Sequence, residues 1–369
     1  MQPLKATDPT RLGQYRLVGR LGSGGMGVVY LGISPTADKF AIKVINPGLV
    51  GDEEFRSRFA AEVEILKTVT GSRVARLERA NLDDDPPWLA VIFVPGRSLQ
   101  RQVEEAGPLD LRSGAMLGAL IVDGLRSVHE AGLVHRDLKP ANIMLGPSGP
   151  IVIDFGLARL GEPDSHVTAT GQPVGTLAYM SPEQARGERD ITTATDVYAL
   201  GATLVYALAR HTVYPQANPV AMLRRIDDPA DLPDTAGVPA ELKPLVDGML
   251  GYEPSARPSL DEVFRRLVEV AMADGVSAEA VRATLAEQTY VEEPLDLPDW
   301  TADPLVEDAD AFTDERDPSR LASLSPAQDE EPVSEPKPER SDQPVPTAMV
   351  DVAWLVDEMR TAYARKATL

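Results

Sequence analysis

Residues 135–156 read HRDLKPANIMLGPSGPIVIDFG and bring Arg136, Asp137, Lys139, Asn142 and Asp154 into one short stretch. Ile143-Met144-Leu145 and Ile151-Val152-Ile153 are short apolar runs, with Gly-Pro-Ser-Gly-Pro at 146–150 between them. Gly and Pro punctuate regular structure, so this pattern predicts a hairpin of two short strands. Such a hairpin brings Asp137, Asn142 and Asp154 to one edge. Carboxylate and amide oxygens are hard ligands. They suit Mg²⁺, which takes few protein oxygens and leaves room for substrate phosphates. Read alone, the same residues also fit a helix, loop and hairpin with ordinary surface charges.

A second stretch with chemical potential is Gly22-Ser23-Gly24-Gly25-Met26-Gly27, whose glycines at 22, 24 and 27 fit G-x-G-x-x-G. Backbone N–H groups in a glycine turn can approach phosphates that side chains would block. A dinucleotide-binding fold uses the same spacing, but there it opens a helix. Here Val28-Val29-Tyr30-Leu31 follows, and Tyr15 to Leu21 precedes, so strand–turn–strand is the better reading. An ordinary Gly-rich hairpin is the plainer alternative. Lys43 interrupts the apolar run Phe40-Ala41-Ile42-Lys43-Val44-Ile45. An unpaired buried ammonium is costly, so Lys43 sits at a solvent edge or has a specific partner.

These groups need elements to position them. Phe55, Phe59, Val63 and Leu66 recur at helical spacing within 52–69, with Glu62 beside the stripe. Trp88 to Val94 reads as the last strand of a β-rich region, ended by Pro95-Gly96. A periodic helix over 111–130 stops at Gly132 and leads into the polar loop. The run 197–209 is too short to span a bilayer and reads as a buried helix. Ser277 caps a further helix over 277–288. Residues 291–346 are rich in Pro, Asp, Glu and Ser and cannot bury enough apolar surface to order themselves. Met349, Val352, Val356, Met359 and Tyr363 then form an apolar stripe over 348–365. That terminal helix docks back, binds a partner, or forms only transiently.

The chain has 369 residues, more than one small domain needs. Its 36 Lys and Arg against 57 Asp and Glu give a net charge of −21, which argues against a broad nucleic-acid surface. The absence of cysteine removes disulfides and thiolate metal sites and fits a reducing cytosol. The first ten residues are polar, unlike a secretory signal. The expectation is a cytoplasmic protein without membrane insertion.

Taken together, H-R-D-L-x-x-x-N followed by D-F-G resembles the catalytic core of a protein kinase. The glycine hairpin, the Ala41-Ile42-Lys43 strand and Gly175-Thr176-Leu177-Ala178-Tyr179-Met180-Ser181-Pro182-Glu183 fill further kinase slots. HRDLKPANI and YMSPEQARG are most similar to the bacterial serine/threonine kinases of eukaryotic type. The resemblance implies an α+β, two-lobed protein kinase fold, with a small β-rich N-lobe and a mainly helical C-lobe, then a disordered acidic tail. The lobes would cover 15–95 and 96–273. An N-terminal extension would occupy 1–14, a flanking helix 274–290, an acidic linker 291–347 and a terminal helix 348–369.

The same resemblance implies roles. ATP would lie among Leu21, Gly22, Ser23, Gly24, Gly25, Met26, Gly27, Val29, Ala41 and Lys43, with its adenine against hinge residues Ile92, Phe93 and Val94. Val91 would be the gatekeeper. Many relatives carry glutamate where this chain has Ile92. Lys43 would hold phosphates and pair with Glu62, with Glu64, on a different face of the helix, as the runner-up. Asp137 would orient a hydroxyl, Lys139 would contact the γ-phosphate, and Asn142 and Asp154 would hold Mg²⁺, with Mn²⁺ as a substitute. Thr168 and Thr170 would be autophosphorylation sites, answered by Arg136. Thr176 would bond the catalytic Asp, and Lys139 with Thr176 favours Ser/Thr substrates. Phe155, Gly156, Glu183, Asp196 and Arg257 would be structural. Partners would be protein substrates, a transient second copy for activation in trans, and a partner of the terminal helix. The competing readings are a pseudokinase, an interaction protein led by its acidic tail, and a dinucleotide-dependent oxidoreductase.

Overall fold

Buried and partly exposed residues alternate from Tyr15 to Arg20, the period-two signature of a strand with one covered face. The computed structural model describes residues 1–24, 27–46, 53–155, 177–215 and 218–295. Its first sheet is built from β1 (Arg11–Leu12), β2 (Tyr15–Gly24), β3 (Gly27–Ile33), β4 (Lys39–Ile45), β5 (Leu77–Asn81) and β6 (Trp88–Ile92). The strand order is β1-β2-β3-β4-β6-β5, antiparallel throughout. Helix α1 (Glu53–Leu66) lies between β4 and β5 in sequence. Antiparallel strands flank the glycine stretch on both sides, with Gly22 opposite Val29 and Gly24 opposite Gly27. A helix does not follow the glycines, which removes the dinucleotide-fold reading.

The N-terminal residues join this lobe. Gln2 pairs with Arg20 through N–H···O bonds of 2.9 and 2.8 Å. Asp8 accepts from Arg20 Nε at 2.6 Å and from the Tyr30 hydroxyl at 3.0 Å. The Arg20 guanidinium beside Asp8 holds its carboxyl well below the usual carboxylate range. One face of the sheet buries Tyr15, Leu17, Tyr30, Phe40, Ile42 and Trp88 as a separate apolar cluster. Tyr15 stands edge-on to Trp88 with ring centroids 5.7 Å apart.

The helical lobe follows. It contains β7 (Arg97–Ser98), α2 (Leu99–Ala106), α3 (Leu111–Glu130), β8 (Ile143–Gly146), β9 (Gly149–Val152), α4 (Pro182–Ala185) and α5 (Ala194–Ala209). It ends with α6 (Pro219–Ile226), α7 (Lys243–Met249), α8 (Leu260–Ala271) and α9 (Ala278–Thr289). Strands β7, β8 and β9 form a small antiparallel sheet. Asp110 starts α3 by accepting from the N–H groups of Arg112 and Ser113, both at 3.0 Å. Helix α5 is buried nearly all round, which explains its unbroken apolar run. The helix expected over 52–69 ends at Leu66, and Lys67 to Val69 close it with a turn. Ser277 caps α9 as expected, accepting from Ala280 N at 3.2 Å. Among the described residues no helix is long and apolar enough to cross a membrane.

Candidate active site

The polar loop before β8 is anchored from below. Asp196, in the first turn of α5, is wholly buried. Its carboxylate accepts from His135 N at 2.8 Å, Arg136 N at 2.9 Å and His129 Nε2 at 2.7 Å. An ionised carboxylate only accepts, so the His129 proton lies on Nε2. Gln184 of α4 grips the other side of the same peptide, donating from Nε2 to Arg136 O at 2.8 Å. Arg136 itself has a positive φ of 64°, sparsely populated for a residue with a Cβ. Such backbone persists only when its surroundings over-determine it, and here both its N–H and its C=O are held.

His135 is buried too, and its ring carries the link onward. Nε2 donates to Ile153 O at 3.1 Å, and Nδ1 accepts from Asp137 N at 3.3 Å. The Phe155 ring lies against it, 6.4 Å between centroids. One imidazole therefore ties the residue before Asp154 to the backbone of Asp137.

Glu183 and Arg257 form the deepest ion pair of this lobe. Arg257 donates from both terminal nitrogens to the two Glu183 oxygens at 2.7 Å each, and Thr195 Oγ1 donates to Glu183 at 2.6 Å. Arg257 also donates to the carbonyls of Gly251, Ala194 and Tyr252. Burial pushes the Glu183 carboxyl up, but the Arg257 and Thr195 bonds outweigh it and bring it below its usual value. Ser181, which replaces an alanine common in kinases, is buried and satisfied. Its N–H and Oγ both donate to Gln184 Oε1, at 3.2 and 3.1 Å.

At the loop itself Lys139 Nζ donates to both Asp137 oxygens, at 2.9 and 2.8 Å. Asn142 Nδ2 donates to Asp137 O at 2.8 Å and to Asp137 Oδ2 at 3.0 Å. Those bonds fix the amide orientation and leave Asn142 Oδ1 as an uncommitted acceptor among the described residues. Ile153 N donates to Asn142 O at 2.9 Å, so Asp154 follows directly on the rung shared with Asn142. Asp154 has a φ of 57°, and its side chain is 38% exposed.

Lys43 lies in the interior strand β4, between β3 and β6. Its ammonium is 3.4 Å from Asp154. Among the described residues the ion pair of Lys43 runs to Asp154 and not to Glu62. The expected pairing of Lys43 with Glu62 is not seen among the described residues. Lys43 is close to the carboxylate that faces it, and Glu62, partly buried on α1, has an interaction of its own.

Lys43 and Asp154 face a cleft of about 1160 Å³ between the lobes. Leu21, Gly22, Val29 and Ala41 line it from the first sheet, and Met144, Ile153 and Asp154 from below. A Cβ on Gly22 or Gly24 would meet nothing within 4 Å. Gly27 is different, because at φ 142° an added Cβ would fall 1.8 Å from Val44 O. Gly27 thus serves the sheet, while Gly22 and Gly24 leave approach space open. Val91, Ile92, Phe93 and Val94 complete the wall. Ile92 N donates to Arg76 O at 3.0 Å and Phe93 N to Lys39 O at 3.2 Å. The N–H of buried Val94 has no partner among the described residues. The Ile92 side chain is exposed, so this departure from many kinases leaves the main chain of the wall unaltered.

Gly25, Met26, Gly156, Thr168, Thr170 and Thr176 lie outside the described residues, as do most of the acidic segment and the terminal helix. Sequence reasoning missed His129 and Gln184. A histidine in the last turn of an apolar helix, shortly before His135, is the signal that could have found the first.

The model of the protein kinase domain family matches residues 15–267. The chain is 44% identical over 255 residues to serine/threonine-protein kinase AfsK of Streptomyces coelicolor, covering 68% of this chain and 31% of AfsK. It is 30% identical over 276 residues to serine/threonine-protein kinase PknL of Mycobacterium tuberculosis, covering 74% of this chain and 67% of PknL. The chain therefore spans about a third of the length of AfsK and two thirds of PknL. Among solved structures, the kinase domain of Mycobacterium tuberculosis PknI is similar at 25% identity and a TM-score of 0.57, covering 72% of this chain and all of that one. With the cleft motifs seated on two lobes and the family match spanning both, the chain belongs to the protein kinase domain family, among its bacterial serine/threonine members.

Proposed function

We propose that this chain transfers the γ-phosphoryl group of ATP to serine or threonine hydroxyls of proteins, and that it switches itself on by phosphorylating Thr168 or Thr170. The observation that carries this reading is that Lys43 and Asp154 pair in one cleft, while Asp137, Lys139 and Asn142 are bonded to one another on the loop tied to Asp154 through the Asn142–Ile153 rung. The cleft suits the nucleotide. The unused Val94 N–H offers a donor to adenine, and the open faces of Gly22 and Gly24 admit phosphates. The donor set also suits a divalent ion, since Asn142 Oδ1 and the Asp154 carboxylate are hard oxygens.

Asp137 would orient the substrate hydroxyl and take its proton as the new O–P bond forms. The bond from the γ-phosphorus to the bridging oxygen breaks, and ADP leaves with that oxygen. Lys139, held against Asp137, would follow the charge on the transferring group. Lys43 would hold the other phosphates. Asn142 and Asp154 would hold Mg²⁺, or Mn²⁺ in its place, which neutralises charge on phosphate oxygens when bound. Arg136 would answer phosphate on the activation loop, because a guanidinium matches phosphate geometry. Activation in trans would bring two copies together briefly.

Purified protein incubated with Mg-ATP and mapped by mass spectrometry tests the reading, beside Lys43→Met and Asp137→Asn. Phosphate on Thr168 or Thr170 in the wild type alone is the expected result. Nucleotide binding without phosphate on any protein, even after treatment with an active bacterial kinase, would overturn it.

A further inference from the structure

The family match ends at residue 267, yet the chain returns to the cleft after that point. Helix α9 is followed by residues 290–295, and Tyr290, Glu292, Glu293, Pro294 and Leu295 line the same cleft as Lys43 and Asp154. They stand at its hinge end, against Gly96 and Arg101, which line it too. Four contacts hold this segment and the end of the helix before it. Gln288 O accepts from Gln102 Nε2 at 3.1 Å, and Gln288 Oε1 accepts from Ser113 Oγ at 2.7 Å. The Tyr290 ring lies against Gly96, where a Cβ would come within 3.4 Å of it. Glu293 forms an ion pair with Arg101, which also donates to Glu105 at 2.6 Å. Gly96 has a φ of 112° and passes so near Leu145 O that a Cβ would lie 2.2 Å away, so the hinge here is bare backbone. Tyr290 supplies the side-chain cover that the hinge lacks.

We infer that residues 290–295 form a wall of the nucleotide site in cis, latched by Arg101 and Glu293, and that this wall raises nucleotide affinity. The inference rests on the reading of the cleft as a nucleotide site. Tyr290, Pro294 and Leu295 add apolar surface at the end of the cleft where Val94 offers its N–H. The latch is partly exposed, with side chains 51% and 34% accessible, so its effect on affinity is modest.

The test uses the full chain and Mg-AMP-PNP. Dissociation constants are measured by calorimetry for wild type, Glu293→Lys, Arg101→Glu and the double charge swap Arg101→Glu/Glu293→Arg, with Lys43→Met as a control. Glu293→Lys is expected to weaken binding about two- to five-fold, the scale of an exposed ion pair. The double swap should recover part of the loss. KM for ATP should rise in step while kcat stays level, and nucleotide should slow amide exchange over residues 290–295. Unchanged or tighter binding in Glu293→Lys, with Lys43→Met weakened, overturns this inference and leaves the nucleotide site standing. A wild-type chain that does not bind Mg-AMP-PNP sinks the nucleotide reading itself.

Discussion

Asp196 is wholly buried and accepts three hydrogen bonds, whereas the Asp154 side chain is 38% exposed and faces an ammonium 3.4 Å away. The two lie on one path, because His135 takes its N–H to Asp196 and its ring to Ile153. The carboxylate at the bottom of this path holds backbone, and the one at the top is free to exchange partners. Burying a charge is tolerable only with full satisfaction, which Asp196 and Glu183 have. A group that must meet a ligand cannot be so committed. On the proposed reading of the cleft, stability and chemistry fall to different carboxylates along one connection.

Substitutions at both ends separate the two roles. Arg257→Ala strands Glu183 and should lower unfolding stability by about 3–5 kcal/mol in urea denaturation. A loss under ~1 kcal/mol would mean that the buried pair is not an anchor. Asp196→Asn keeps the shape but turns an amide N–H₂ toward the donors around it, and a loss of about 2–3 kcal/mol is expected from the same measurement. Loop activity should fall with it, because Arg136 loses half of its grip.

Acid should act through Glu183. Its folded value is depressed, so its contribution is present above the unfolded carboxylate value of about 4.3 and is lost as pH falls through the lower folded value. Glu183→Gln should therefore flatten the decline of stability below about pH 4.3. An equally steep decline in that variant would assign acid sensitivity to other groups, such as Asp8. Asp154→Asn should show the smallest stability change, under about 1 kcal/mol, since only a half-exposed pair is lost. Its phosphoryl transfer should nevertheless disappear, so the order of the series inverts when activity is the readout.

The parts of the site legible in the sequence are those built from local chain. Asn142 and Asp154 are joined by a two-strand hairpin, and alternation with a Gly-Pro turn reveals it. The glycine hairpin is legible for the same reason, since valines rather than helix formers follow Gly27. Glu183 and Arg257 are 74 positions apart, and only resemblance to a family singled them out. His129 was hidden inside a periodic helix whose pattern it barely disturbs. That Lys43 reaches Asp154 across the cleft is not legible either, because the two are 111 positions apart on different elements. Residues 1–14 were read as an extension because nothing local signals that Gln2 and Asp8 reach Arg20. The same holds for Glu293 and Arg101, 192 positions apart.

Phe59, Val63 and Leu66 of α1, with Leu77 and Leu89 of the first sheet, belong to one buried cluster with Leu117, Ile121 and Leu200 of the helical lobe. The lobes are therefore not separate cooperative units. A scanning calorimeter should record one endotherm for residues 1–295, with its area matching the van't Hoff enthalpy. The cluster around Tyr15 and Trp88 lies on the opposite face of the sheet and shares no core with the helices. It can open alone at lower free energy, so the outer strands should exchange their amides before the hinge does.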